Sequence, residues 1–194
     1  LRLMNVSTSE SVEILRNAYL KPMTTVLWWH LVNDNSSLSP FDIGWSVTPS
    51  LGSPKDKASL IKGLEDDILT AISVHSTPTD DSETMQPANK RKKGISGYNL
   101  VLPLLWDQLV RKSEWKVEKL WEKISFGPSQ LLNQAEEKLS LDSKRWLLFD
   151  PEKEWVPSDE DNHLTTATNQ PLKGKKICGK VIDCGLINQA YQHD

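Results

Sequence analysis

The fold class turns on one passage, Met23-Thr24-Thr25-Val26-Leu27-Trp28-Trp29-His30-Leu31-Val32. Pro22 precedes it, and proline ends one helix while fitting the first turn of the next. The passage is apolar nearly all round, so it is predicted to be a helix from Met23 to Val32. Adjacent positions on a helix point about 100° apart. Trp28 and Trp29 are therefore both covered only if this helix is central or meets a partner.

Working outward, Ser7 and Glu10 have the spacing of a capping box, and Val12, Leu15 and Tyr19 follow at helical intervals. From Asn33 to Pro54 the chain is rich in Asn, Ser, Pro and Gly and is expected to be loop. Phe41, Ile43, Trp45 and Val47 alternate inside it, which is strand periodicity or an extended segment pinned to a surface. Ser53-Pro54 starts an amphipathic helix with the stripe Leu60, Ile61, Leu64, Ile68 and Ile72. Residues 75–97 are polar, acidic and then basic, a composition that predicts a disordered insertion.

Beyond it, helical spacing returns in Leu102, Leu105, Trp106, Leu109 and Val110, then in Val117, Leu120, Trp121 and Ile124. Gly127-Pro128-Ser129 restarts a short helix through Leu131, Leu132, Ala135 and Leu139. Trp146-Leu147-Leu148-Phe149 is a brief apolar knot, residues 158–174 form an acidic polar linker, and Lys175 to Ile187 fits one or two short strands. The expected fold is mainly α: an irregular helical domain with long polar loops and a short C-terminal β element. Its helical blocks are 1–74 and 98–157, and its tail is 175–194.

Composition narrows the function classes. A hydrophobic fraction of 38% lies below the roughly 45–50% usual for globular chains, so folded segments must alternate with polar ones. A net charge of −3 argues against broad electrostatic binding to nucleic acid or to an anionic membrane. Val26 to Val32 falls far short of the roughly 20 residues that span a bilayer. A start at Leu1-Arg2-Leu3 reads as an excerpt or a processed product. Cys178 and Cys184 are too few for a disulfide framework, and read as two reduced thiols or one local disulfide.

No glycine-rich phosphate loop, nucleophile elbow or paired-His metal motif is present. His30, His75, His163 and His193 are far apart in sequence, and Asp66-Asp67 and Glu136-Glu137 splay apart on helices. These absences imply no catalytic residue, metal or cofactor. Eight Trp remain, and Trp is a residue of cores and of binding hot spots alike. Trp115 misses the face set by Leu120 and Ile124, and the pair at 28–29 has one ring too many for a single stripe.

Trp28, Trp29, Trp45, Trp115 and Trp155 are thus the candidates for binding a protein partner. Lys90, Arg91, Lys92 and Lys93 are candidates for a nuclear-import signal or for phosphate contact, with Lys173, Lys175 and Lys176 beside them. Exposed Ser53, Thr77 and Ser158 have phosphorylation contexts. The expected function is a non-enzymatic scaffold or adaptor of a larger nuclear or nucleocytoplasmic complex, with no membrane contact. The alternative is an accessory subunit of an RNA- or DNA-processing assembly.

Overall fold

The structure, a computed structural model, describes residues 1–39, 43–87, 89–135, 145–158 and 167–186. Phe41, Glu136, Glu137, Leu139, His163 and His193 lie outside the described residues.

Strand β1 is Arg2–Leu3 and helix α1 is Ser9–Asn17. The cap of α1 sits one residue later than the Ser7–Glu10 spacing predicts: the Thr8 side chain accepts from the Ser11 N–H. Val12 and Leu15 are the buried residues of α1. The passage after Pro22 is then a strand. Met23–Leu27 forms β2, and only Trp29–Val32 turns into a helix, α2.

Two causes separate this from the expected helix. Thr24, Thr25 and Val26 are β-branched and suit a pleated backbone. A parallel strand covered on both faces is also apolar without alternation, so its pattern mimics that of a buried helix. The hydroxyls of this buried strand are satisfied: Thr24 Oγ1 accepts from the Thr70 N–H at 3.2 Å, and Thr70 Oγ1 accepts from the Thr24 N–H at 3.0 Å.

Helix α3, Pro54–Glu65, starts where expected, in a capping box closed by Ser53 and Asp56. Its stripe ends earlier than predicted, because Ile72 belongs to strand β3, Ala71–Ser73. β1 pairs with β2 and β2 with β3, all parallel, in the order β1-β2-β3. The register sets Leu27 opposite Ser73. Each parallel step crosses over through helix, as parallel pairing requires.

Helix α4, Asp81–Thr84, and a hydrogen bond from the Thr77 N–H to the Ile95 carbonyl fall within residues 75–97, where Thr79, Ile95 and Ser96 are buried. Helix α5, Val101–Leu105, runs on into a π-helical stretch, Trp106–Lys112. Helix α6, Val117–Trp121, does the same through Glu122–Phe126, and α7 is Gly127–Leu132.

The apolar knot and the tail then pair. β4, Arg145–Trp155, and β5, Ile177–Leu186, form an antiparallel ladder with register shifts at Leu148/Phe149 and between Asp150 and Glu154. Cys178 and Cys184 lie on one extended strand, about 20 Å apart along it. Both are free thiols and cannot bridge each other.

The mainly α expectation is therefore corrected: the described residues are 40% helical and 19% strand, and their centre is a parallel sheet. One core joins the two predicted blocks, with Leu15, Val26 and Trp28 in the same cluster as Leu105, Leu109 and Leu120.

Candidate functional site

In sheets of parallel strands, ligands bind beyond the carboxyl ends of the strands, where backbone and loops converge. Here those ends are Leu27 and Ser73, tied together by a 3.2 Å hydrogen bond from the Trp28 N–H to the Ser73 carbonyl. The chain leaves β2 through Trp28, Trp29 and His30, all buried. The two indoles meet edge to face with centroids 6.0 Å apart, and the His30 ring lies 6.3 Å from that of Trp29. Both indole N–H groups and His30 Nδ1 are buried without a hydrogen-bond partner.

His30 Nε2 lies 3.2 Å from the Ser50 carbonyl. A carbonyl only accepts, so this nitrogen carries the hydrogen, and in the neutral ring Nδ1 is left as an acceptor. Burial lowers the His30 pKa below its usual 6.5, outweighing the Ser50 and Pro49 carbonyls, which raise it. The strand end thus holds an uncharged imidazole with a free lone pair.

The chain leaving β3 builds the neighbouring wall. Gly94 donates to the Ser46 carbonyl at 2.7 Å, and a distant segment, 167–172, closes over both. Within that segment the Asn169 side chain makes three hydrogen bonds. Its Nδ2 donates to the Thr77 and Gly94 carbonyls at 2.8 and 3.0 Å, and its Oδ1 accepts from the Thr79 N–H at 3.1 Å. The Thr168 N–H donates to the Thr79 carbonyl at 2.9 Å. Pro171 presses on Gly44, where a Cβ would come within 2.6 Å of the Pro171 Cα. Beneath this segment the buried Ser96 Oγ and Asn99 Nδ2 have no partner.

A cavity of about 320 Å³ lies at the opposite end of the strands, lined by Met23, Thr70, Lys21, Lys123, Asp67 and Glu122 among others. Lys123, only 3% exposed in its side chain, donates to Asp67 Oδ1 at 2.6 Å and to the Leu69 carbonyl at 3.2 Å. Lys119 donates to the same Asp67 oxygen at 2.7 Å. Burial pushes the Asp67 carboxyl up, but these two ammonium groups hold it below its ordinary value. Among the described residues no group of three His, Cys, Asp or Glu is placed to hold a metal ion.

The residues singled out from the sequence are scattered. Trp28 and Trp29 sit at the strand end. Trp45, Trp115 and Trp155 are buried elsewhere, Trp155 donating its indole N–H to the Gly179 carbonyl at 2.7 Å beneath the Lys180 ammonium. All five are interior, whereas Trp146, which was not a candidate, is 44% exposed. In the basic run Lys92 pairs with Glu83 and Arg91 donates to the Gln86 carbonyl, while Lys90 and Lys93 are exposed. Lys173 and Lys175 are exposed, and Lys176 pairs with Glu154. Sequence analysis missed Asn169, Thr79 and Ser96, because single polar residues in polar stretches carry no local signal.

No protein-family model matches the chain. The dihydroorotase of Staphylococcus epidermidis is 30% identical over 179 residues, which take in 90% of this chain and 42% of that protein. A D-hydantoinase crystal structure superposes with a TM-score of 0.79 at 18% identity, covering 97% of this chain and 44% of that one. The inactive dihydroorotase-like domain of a Chaetomium thermophilum CAD-like multifunctional protein superposes at 0.65 with 16% identity, covering 97% and 50%. The chain thus spans less than half the length of the dihydroorotase it matches.

Its structural neighbours are hydantoinase- and dihydroorotase-like amidohydrolases of the TIM-barrel kind, which overturns the irregular helical domain expected from the sequence. The expectations of a nuclear scaffold, a phosphoprotein complex subunit and a non-enzyme are corrected with it. Dihydroorotase and D-hydantoinase, the names borne by the proteins this chain resembles, are names of enzymes.

Proposed function

We propose that the chain is part of a cyclic amidohydrolase, which opens a small ring by hydrolysing an amide bond within it. One observation carries this: likeness in sequence to a dihydroorotase and likeness in shape to a D-hydantoinase converge on one reaction class. The substrates are rings of the dihydroorotate or hydantoin type. In the reaction, the hydroxyl of a water adds to the ring carbonyl carbon, the C–N bond breaks, and the second water proton ends on the nitrogen.

We assign the protein's part in this step to the strand end after β2. His30 is neutral at pH 7, and its Nδ1 accepts a proton or a hydrogen bond. Trp28 and Trp29 offer indole N–H groups as donors toward carbonyl oxygen. The test incubates the purified chain with dihydroorotate and with hydantoin and follows the ring-opened product by chromatography. Turnover of one ring is expected, and His30→Gln lowers it by about 10²-fold or more, the usual scale of a lost proton acceptor. A chain that is folded by circular dichroism yet opens neither ring overturns the proposal and sets it beside the inactive domain it resembles.

A further inference from the structure

We infer that the cavity walled by the π-helical stretch Trp106–Lys112 binds a small carboxylic acid whose other end is apolar. Its volume is about 270 Å³. Pockets for drug-sized ligands run to roughly 300–1,000 Å³, so this one suits a single ring with its acid group. Leu38, Trp45, Leu104 and Leu172 line its apolar part. Trp45 is buried and the other three are only partly covered by the core, which leaves apolar surface for a ring to cover.

The polar part consists of Asn33, Asp107, Gln108, Lys112 and Lys175. The winding of the helix decides which of them is already engaged. On an α-helix residues five apart point about 140° away from each other, whereas the five-residue hydrogen bonds of the π form bring them together. The Ser113 N–H and hydroxyl both donate to the Gln108 carbonyl, at 3.1 and 2.9 Å. In the same way the Lys112 ammonium reaches Asp107 Oδ2 at 2.6 Å. The carboxylate of this wall is thus occupied by an ammonium of its own helix.

The donors are not. Asn33 spends its side-chain oxygen on the Asp34 N–H and keeps its Nδ2. Among the described residues, that nitrogen, the Gln108 amide nitrogen and the Lys175 ammonium have no partner. Two ammonium groups stand against one carboxylate, a surplus of one positive charge. A single negative charge spread over two acceptor oxygens matches these donors, and hydrogen bonds from an ammonium to a carboxylate are of the stronger, charge-assisted kind. The site does not rest on the reaction proposed above.

A ligand-observed NMR titration of the full chain with benzoate tests it. Benzoate is expected to bind, and benzamide, of the same shape without the charge, about tenfold or more weakly, the scale of one charged hydrogen bond. Lys175→Met, at an exposed position, weakens benzoate by about tenfold or more. Lys93→Met, exposed and outside the cavity, leaves it unchanged. Equal affinity for benzoate and benzamide overturns the inference, as does a benzoate affinity that both lysine variants lower alike or that Lys175→Met leaves intact. No binding of benzoate at about 10 mM, far above the range of any specific site, overturns it too. A folded chain that binds benzoate in this way and opens neither ring removes the proposed reaction and leaves the acid site standing.

Discussion

Asp56 Oδ1 accepts the backbone N–H of Ser9, forty-seven residues earlier in the chain, at 2.8 Å. Its other oxygen accepts the Ser53 N–H at 2.8 Å and the Ser53 hydroxyl at 2.6 Å. One carboxylate therefore caps α3 from within and the first turn of α1 from outside.

Asp56→Ala removes the carboxylate from both helix starts, leaving Ser53 as the N-cap of α3, and is expected to destabilise the chain by about 1–2 kcal/mol, read from urea denaturation midpoints. The Ser53 hydroxyl, then the Ser9 N–H, hold this carboxyl at about 2, below its ordinary 3.8. Between these values the unfolded chain binds more protons than the folded one, so the contribution is whole above pH 3.8 and is lost as pH falls toward 2. The stability difference between the native chain and Asp56→Ala shrinks accordingly from pH 7 to pH 2.5.

His30 gives a second pH dependence at a higher window. Its folded pKa lies below 6.5, so below pH 6.5 the unfolded chain takes up a proton that the folded one refuses. Stability falls as pH drops through 6.5 and is regained above it. Thermal melting between pH 7.5 and 5 should show this fall, and His30→Gln should flatten it.

Asp67 and Lys123 form an asymmetric pair, with side chains 63% and 3% exposed. Removing the carboxylate strips a main partner from a buried ammonium, whereas removing the ammonium leaves an acid that water and Lys119 still serve. Asp67→Asn keeps a residue type that tolerates the positive φ of 58° at this position. It should cost about 1–2 kcal/mol, and much less in a Lys123→Met background, so a double-mutant cycle by denaturation reads the coupling.

Gly127 opens α7 against the loop before β3, and a Cβ there would sit 2.5 Å from the Thr70 carbonyl oxygen. Backbone cannot yield as a side chain can, so Gly127→Ala should destabilise by about 1–3 kcal/mol. Calorimetry would show the loss as a lower melting temperature.

Much of the helical framework was legible in the sequence because its signals are local. Ser53, Pro54 and Asp56 announce α3, and Leu102, Leu105 and Leu109 announce the covered face of the helix beginning at Val101. The sheet was not legible. β2 and β3 are short, parallel and covered on both faces, so Val26, Leu27, Ala71 and Ile72 show none of the alternation that marks a half-exposed strand. The abundance of Trp was legible too, but not its location: Trp115 misses one helical stripe and is still buried, because the interior here is assembled from several elements. His30 stood in the sequence only as one of four scattered histidines. Its place at a strand end follows only once Met23 to Leu27 is extended. Asn169 could not have been found, since its three partners lie 75 to 92 residues away.

That separation also orders the making of the molecule in time. The Thr79 N–H and Asn169 Oδ1 are 90 residues apart, whereas Thr24 and Thr70 are 46 apart. On a growing chain, β2 and β3 can pair and α3 can pack while the residues that bind Thr77 and Thr79 have not yet been synthesised. The loop at 77–79 therefore waits, hydrated, for a late arrival. Closure entropy rises only with the logarithm of loop length, so the delay is set by synthesis and search and not by stability. The last piece of native structure to assemble is then the one that fastens the loop following β3.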